Sequence, residues 1–191
     1  MFNIKHLIVN LLEVIEFNKI KLFSNIFGSH YVLNSLKTCR KPNILKVLTK
    51  YGAHVGKNNH FKGCLQIDNA GSSINELFSN LIIGNNCYIG KNVFLDLANE
   101  IILRDEVVLS SGVSIVTHAD VGDRRMCKYF NRKSEKVIIS ESSWIGVNST
   151  ILAGVKINKF AVVGAMSLVN KSLKDYSVSY GVPARKQRDI I

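Results

Sequence analysis

The sequence predicts a mainly β protein: a solenoid of six-residue repeats, preceded by a short helical region and interrupted by one excursion loop. Three observations carry this. Aliphatic residues occupy every sixth position late in the chain, at Ile139, Ile145, Ile151, Ile157, Val163 and Val169. Four places after each of the first five stands a small or compact residue: Ser143, Ser149, Val155, Ala161 and Ser167. Between Ile115 and Ile139 the period lapses, and residues 119–136 turn polar and rich in Arg and Lys.

Residues 1–50 follow a different rule. Leu7, Ile8, Leu11, Leu12, Val14, Ile15, Ile20, Phe23 and Phe27 recur at mixed helical spacing, with Gly28 as a stop. Shorter helical stretches are expected over about residues 31–36 and, after Pro42, over 44–50. These helices are expected to pack on the main body or on a sister subunit. The lysines beside so many large apolar residues also fit a peripheral membrane contact.

From Val55 the six-residue register begins: Val55, Phe61, Ile67, then Ile83, Ile89, Leu95, with Cys87 and Val93 in the small slots. After a two-residue slip it resumes at Leu103, Leu109 and Ile115, with Val107 and Val113. A period of six is neither helical nor a hairpin spacing; it suits a coil making one short strand and one corner per repeat. Three repeats close a triangular turn, and stacked turns bury their aliphatic ladders and satisfy their backbone groups between coils. A sandwich of alternating strands would need hairpin signals that are absent. Residues 51–191 therefore form the solenoid, and 119–136 project from a corner as a loop. His118 stands at the root of that loop.

Composition agrees with one folded body: 47% hydrophobic, 20% charged and only two prolines in 191 residues. The net charge of +11 points to anionic company, such as a phosphorylated cofactor. No nucleic-acid module accompanies it, so nucleic acid is not the expected partner. Cys39, Cys64, Cys87 and Cys127 form no C-x-x-C pair, which fits free thiols in a reducing, cytoplasmic setting. The apolar amino terminus is broken by charges and has no signal cleavage site, so a location in the cytoplasm, up to the inner face of the membrane, is expected.

The repeat, the histidine opening a loop, Ser143-Trp144-Ile145-Gly146 and the closing Gly181-Val182-Pro183-Ala184-Arg185 together resemble the hexapeptide-repeat acyltransferases. Over residues 52–188 the chain looks like the galactoside, maltose and polysaccharide O-acetyltransferase branch. The resemblance implies a left-handed parallel β-helix, a homotrimer with sites between subunits, acetyl-CoA as cosubstrate and no metal requirement. Left-handed crossovers run against the general rule and are not read from the repeat itself.

A sugar hydroxyl attacks a thioester only if a base takes its proton, and an imidazole, with an ordinary pKa of about 6.5, suits that task near neutrality. His118 matches the family's general base. Asp120 is a candidate to orient it, and the segment around Ser143 and Trp144 a candidate oxyanion donor. By resemblance, Trp144, Gly164 and Ala165 fall near the pantetheine arm of the cofactor, Gly146 is a further cofactor-binding position, Asn170 and Lys171 align where the relatives have a hydroxyl residue followed by a lysine, and Arg185 and Arg188 fall near the phosphates and adenosine. Asp96 is the expected acceptor-binding carboxylate; Asn85 and Asn86 are turn residues, and Cys127 an incidental thiol.

The galactoside and maltose enzymes carry Gly-His-Pro at the base, whereas this chain reads Thr117-His118-Ala119-Asp120. With the hydrophobic amino terminus and the basic loop, this looks more like enzymes acetylating capsule or O-antigen precursors. The rival readings are an amino-sugar N-acetyltransferase, a serine O-acetyltransferase, a non-catalytic solenoid, and a zinc hydratase, whose three-histidine site His118 alone does not supply.

Overall fold

The computed structural model describes residues 4–191, with side chains from His6 onward; the first three residues of the expected helical region lie outside it. Helix α1 (Ile4–Phe27) is followed directly by α2 (Ser29–Thr38) and α3 (Lys41–Lys50). Gly28 adopts φ 67°, a left-handed turn that glycine makes without strain, so the second helix restarts at once instead of near residue 31. The third helix begins before Pro42, not after it. Proline is tolerated in a first turn, where its missing N–H would have had no partner.

Val32, Leu36, Ile44, Val47 and Leu48 are fully buried, and their cluster is continuous with the interior of the solenoid. Backbone bonds tie the two parts together: Leu65 N–H donates to Leu36 C=O (3.2 Å) and Phe78 N–H to Tyr51 C=O (2.9 Å). The helices therefore plug one end of the coil. Helix α1 covers little of its own length, and Leu7, Ile8, Leu11, Val14 and Ile15 remain exposed.

The solenoid is a three-sided prism of parallel strands. Its first face stacks His54–Val55, Leu81–Ile83, Ile101–Leu103, Val137–Ile139 and Lys156–Ile157. The second stacks His60–Phe61, Tyr88–Ile89, Val108–Leu109, Trp144–Ile145, Val162–Val163 and Ser177–Gly181, and Ala184–Asp189 folds back antiparallel on the last of these. The third stacks Gln66–Asp68, Phe94–Asp96, Ser114–Ile115, Thr150–Ile151 and Leu168–Val169. Register puts like residues over one another, so that Leu95, Ile115, Ile151 and Val169 form one internal ladder.

Each regular corner obeys the same chemistry. Three places after the ladder residue the backbone takes positive φ, as at Asn86, Asn92, Asn148 and Met166. One place later the small residue turns inward: Cys87, Val93, Ser143, Ser149 and Ala161 are all at most 3% exposed. Glycine directly after the ladder residue lets successive coils touch. A Cβ on Gly146 would lie 2.6 Å from the Ala165 nitrogen, and one on Gly164 2.7 Å from the Tyr180 Cβ.

Three connections depart from the six-residue spacing: residues 69–80, 97–100 and 116–136. All leave the third face and enter the first, so the irregularities stack along one corner. Asn69, Asp96 and His118 are gathered there.

Removing the Ile151 side chain empties part of the ladder, so Ile151→Ala is expected to lose about 2–5 kcal/mol. Ser149→Phe is expected to destabilise the fold by about 1–3 kcal/mol or more through overpacking. Urea unfolding followed by far-UV circular dichroism measures both.

Candidate active site

His118 leaves the third face at the irregular corner. With Ala119 it forms a two-residue antiparallel pair with Lys133–Ser134, His118 opposite Ser134 and Ala119 opposite Lys133. This pair fixes the root of the loop, whose centre is a single 3-10 turn at Arg125–Lys128. Glu135 N–H donates to Thr117 C=O at 2.9 Å and closes the base of the excursion.

The ring of His118 lies against Asp96 from the coil below, with Nδ1 2.6 Å from Asp96 Oδ2. The same oxygen accepts the backbone N–H of Thr117 (2.8 Å) and of His118 (3.0 Å). The other oxygen accepts from Asn69 Nδ2 (2.8 Å) and Ala98 N–H (3.2 Å). Thr117 Oγ1 donates to the Asp96 carbonyl at 2.7 Å. Asn69, Asp96 and His118 thus link three successive coils along the irregular corner.

Asp96 is 1% exposed, and burial by itself pushes its carboxyl pKa up; the hydrogen bonds from His118, Asn69, Thr117 and Ala98 outweigh that and hold it below the usual 3.8. An ionised Asp96 can only accept, so the short contact is an Nδ1–H donated by His118. The ring tautomer is then fixed, with Nε2 carrying the lone pair. The His118 side chain is 27% exposed, accessible at one edge and held at the other.

Two expectations need correction here. Asp96, expected to meet the acceptor, is buried and already saturated with donors, and it holds the histidine instead. Asp120, expected to orient the ring, stabilises the loop: its Oδ1 accepts the Gly122 N–H at 2.7 Å and its Oδ2 lies 3.7 Å from Arg132 Nε. In the segment expected to supply an oxyanion donor, two groups are engaged. The Trp144 N–H is taken by Ala161 C=O, and Ser143 is fully buried with its hydroxyl on Asn158 C=O.

The remaining candidates divide between two corners. Trp144 is exposed on the second face and its indole N–H donates to Ser110 Oγ at 3.0 Å, beside the corner between second and third faces. Gly146, Gly164 and Ala165 stack along that same corner. Asn170 and Lys171 follow Val169 and so lie above His118 on the other edge of the third face. Lys171 and Arg185 line one cleft of about 260 Å³ together with Lys174 and Lys186. Ser179 also lines it, fully buried and with no partner for its hydroxyl among the described residues. Arg188 lies apart from that cleft, opposite Val178 on the antiparallel strand, exposed, with Nη1 on Asp189 C=O.

Comparison with known proteins matches the repeat and the fold. Residues 80–116 fit the family described as the hexapeptide repeat of succinyl-transferase. The chain is 27% identical over 146 residues to a galactoside O-acetyltransferase of Lactococcus lactis, covering 76% of this chain and 67% of that protein. A hexapeptide-repeat acetyltransferase of Vibrio cholerae, solved with acetyl coenzyme A, superposes with a TM-score of 0.71 at 20% identity, covering 84% of each chain. An N-acyltransferase of Bacillus cereus, solved as a point variant with dTDP and coenzyme A, gives 0.56 at 27% identity, covering 75% of this chain and 88% of that one. The chain is similar in its repeat and in its fold to members of the hexapeptide-repeat acyltransferase superfamily. Its prism is the left-handed parallel β-helix of that superfamily, and the protein is an acyltransferase.

Because the folded-state pKa of Asp96 lies below 3.8, its contribution to stability is complete above that value and is lost as pH falls through the lower folded pKa. Asp96→Asn is therefore expected to be less stable near neutrality and to show a flatter loss of stability below about pH 4. Asp96→Ala, which leaves several donors without an acceptor, is expected to cost about 3–5 kcal/mol. Chemical denaturation from acid to neutral pH reads both.

Proposed function

We propose that this protein is an acetyl-CoA-dependent O-acetyltransferase acting on a sugar hydroxyl of a surface-polysaccharide precursor, with His118 as general base. The observation that carries the reading is the short Nδ1–H bond to a buried, ionised Asp96 at the root of an excursion loop. It leaves Nε2 as a fixed acceptor beside open space. Nε2 removes the proton as the acceptor oxygen bonds to the thioester carbonyl carbon. The tetrahedral intermediate collapses with cleavage of the C–S bond, and the imidazolium returns its proton to the departing CoA thiolate. Asp96 stabilises the transient imidazolium without taking the proton, and Asn69 fixes Asp96.

Several features support acetyl-CoA as donor. The cationic cleft at Lys171, Lys174, Arg185 and Lys186 suits phosphate groups, and the solved relatives contain acetyl coenzyme A or coenzyme A. The sugar acceptor is supported by the likeness to a galactoside O-acetyltransferase. An amino-sugar acceptor is the second reading, favoured by the N-acyltransferase neighbour.

The division of candidate residues between two edges of the third face supports a homotrimer, in which His118 of one subunit meets the Trp144 corner of the next. No helix among the described residues is long and apolar enough to cross a membrane. The exposed apolar surface of α1 instead suits peripheral contact with the inner face of a membrane, in a protein that resides in the cytoplasm.

His118→Ala is expected to lower kcat about 10²- to 10⁴-fold, with CoA affinity retained. Asn69→Ala is expected to lower kcat less, with acceptor KM little changed. A thiol-release assay with acetyl-CoA and a panel of hydroxyl and amine acceptors measures these values and separates the two acceptor readings. Full activity in His118→Ala would overturn the mechanism. In mixed trimers, His118→Ala subunits combined with Trp144→Ala subunits are expected to regain activity above either parent.

A further inference from the structure

The chain's excess charge is gathered at one end of the prism. Residues 1–62 hold ten Lys and Arg against two Glu, a net charge of +8 out of the chain's +11. They build the helical plug and the first strands of two faces. Lys37, Lys41, Lys46, Lys50 and Lys57 are exposed, and among the described residues the one ion pair at this end is Arg40 with Glu16, at 3.4 Å. Lys37, Arg40, Lys41 and Lys62 line one cleft of about 410 Å³, beside Glu13. Lys41, Lys46 and Lys62 line a second of about 510 Å³, which has no carboxylate in its walls.

The same end carries the uncovered start of α1. Residues 6–12 are exposed at every position, with Leu7 and Leu11 at 66% and 58%. His6 and Asn10 bond to each other at 3.0 Å, and the other five are Leu, Ile or Val, spread over more than half of the helix circumference. An apolar stripe this wide ordinarily faces a core or a lipid phase. Asn43 Nδ2 donates to Glu13 C=O at 3.0 Å, and Glu13 lines the first cleft, so the uncovered turns begin at that cleft's edge. Whatever covers them must be apolar within and negative at its surface. A second copy of this end fails the charge requirement, because two surfaces of one sign would meet, whereas an anionic bilayer meets both.

We propose that the plug end of the prism docks on an anionic phospholipid bilayer: residues 7–12 of α1 bury their apolar side chains among the acyl chains, and Lys37, Lys41, Lys46 and Lys62 meet lipid phosphates at the two clefts. The inference rests on the peripheral contact proposed above and names its surface and its lipid class. His118 leaves the third coil, two coil spacings or roughly 10 Å from the first, so docking by this end holds the imidazole near the bilayer surface.

The full chain is sedimented with vesicles of phosphatidylcholine alone and with vesicles of equal parts phosphatidylcholine and phosphatidylglycerol. Binding to the anionic vesicles is expected to be stronger by about tenfold or more and to fall as salt rises. Lys37→Gln/Lys41→Gln/Lys46→Gln/Lys62→Gln is expected to lose that preference, while the corresponding four Arg replacements keep it. Leu7→Ser/Leu11→Ser, at exposed positions, is expected to keep its circular dichroism spectrum and to weaken binding about tenfold or more. Equal binding to both vesicles overturns the lipid assignment and leaves the peripheral contact standing; binding to neither overturns both. Undiminished binding by the serine variant, or a smaller oligomer formed by that variant in sedimentation without vesicles, overturns the inference, the latter by giving the surface to a second copy. Acetyl transfer to a soluble sugar without vesicles is expected to be unchanged in these variants. Transfer that never depends on His118 sinks the reading of the active site separately.

Discussion

A carboxylate buried inside a protein is normally an expense, and Asp96 shows how a solenoid can make one stable. Its two oxygens accept from the His118 ring, the Thr117, His118 and Ala98 backbone N–H groups and the Asn69 amide. These donors come from three adjacent coils and exist together only because each coil is misaligned from the six-residue norm at the same corner. Burial alone would favour the neutral acid, but the donor set favours the anion and wins. An anion there dictates which nitrogen of His118 carries its proton. The ring orientation, the root of the loop and the site's position at an edge of the prism follow from this one carboxylate.

The prism supplies rigidity by repetition. Internal ladders such as Leu95, Ile115, Ile151 and Val169 leave no room for the coils to slide, because every residue is flanked by its own register partners. The carboxylate–histidine cluster lies where repetition fails. The connections 69–80, 97–100 and 116–136 carry Asn69, the donor Ala98, and Thr117 with His118. The orientation of the His118 ring therefore comes from the stacking of coils and not from the loop.

Much of the fold is legible in the sequence because a period of six has few physical solutions. The ladder residues from Ile83 onward and the small slots at Cys87, Val107, Ser143 and Ala161 lie inside as the spacing requires. The two-residue slip after Leu95 is visible too, yet its meaning is not. A slip shows that a corner is irregular, but not that Asp96 turns inward there to meet a histidine 22 residues later in the chain. Asn69 leaves no signal, since its contact spans 27 residues and sequence spacing carries no information about which irregular corners stack. Asp120 is attractive only through nearness in the chain; in the antiparallel root its side chain faces the loop and Arg132. The helices starting at Ser29 and Lys41 begin a few residues before their expected positions, because a left-handed Gly28 and a first-turn Pro42 permit helices to start where the spacing of apolar residues leaves a gap.

The most direct test of the account is the protonation pattern of one ring. Nitrogen-15 spectra of the full chain with labelled histidine, assigned by comparison with His118→Gln, report which ring nitrogen of His118 bears the proton when the imidazole is neutral. The account requires Nδ1–H with a bare Nε2, and loss of that preference in Asp96→Asn. A neutral His118 carrying its proton on Nε2 would contradict it, because the nitrogen facing the acceptor could not then act as the base.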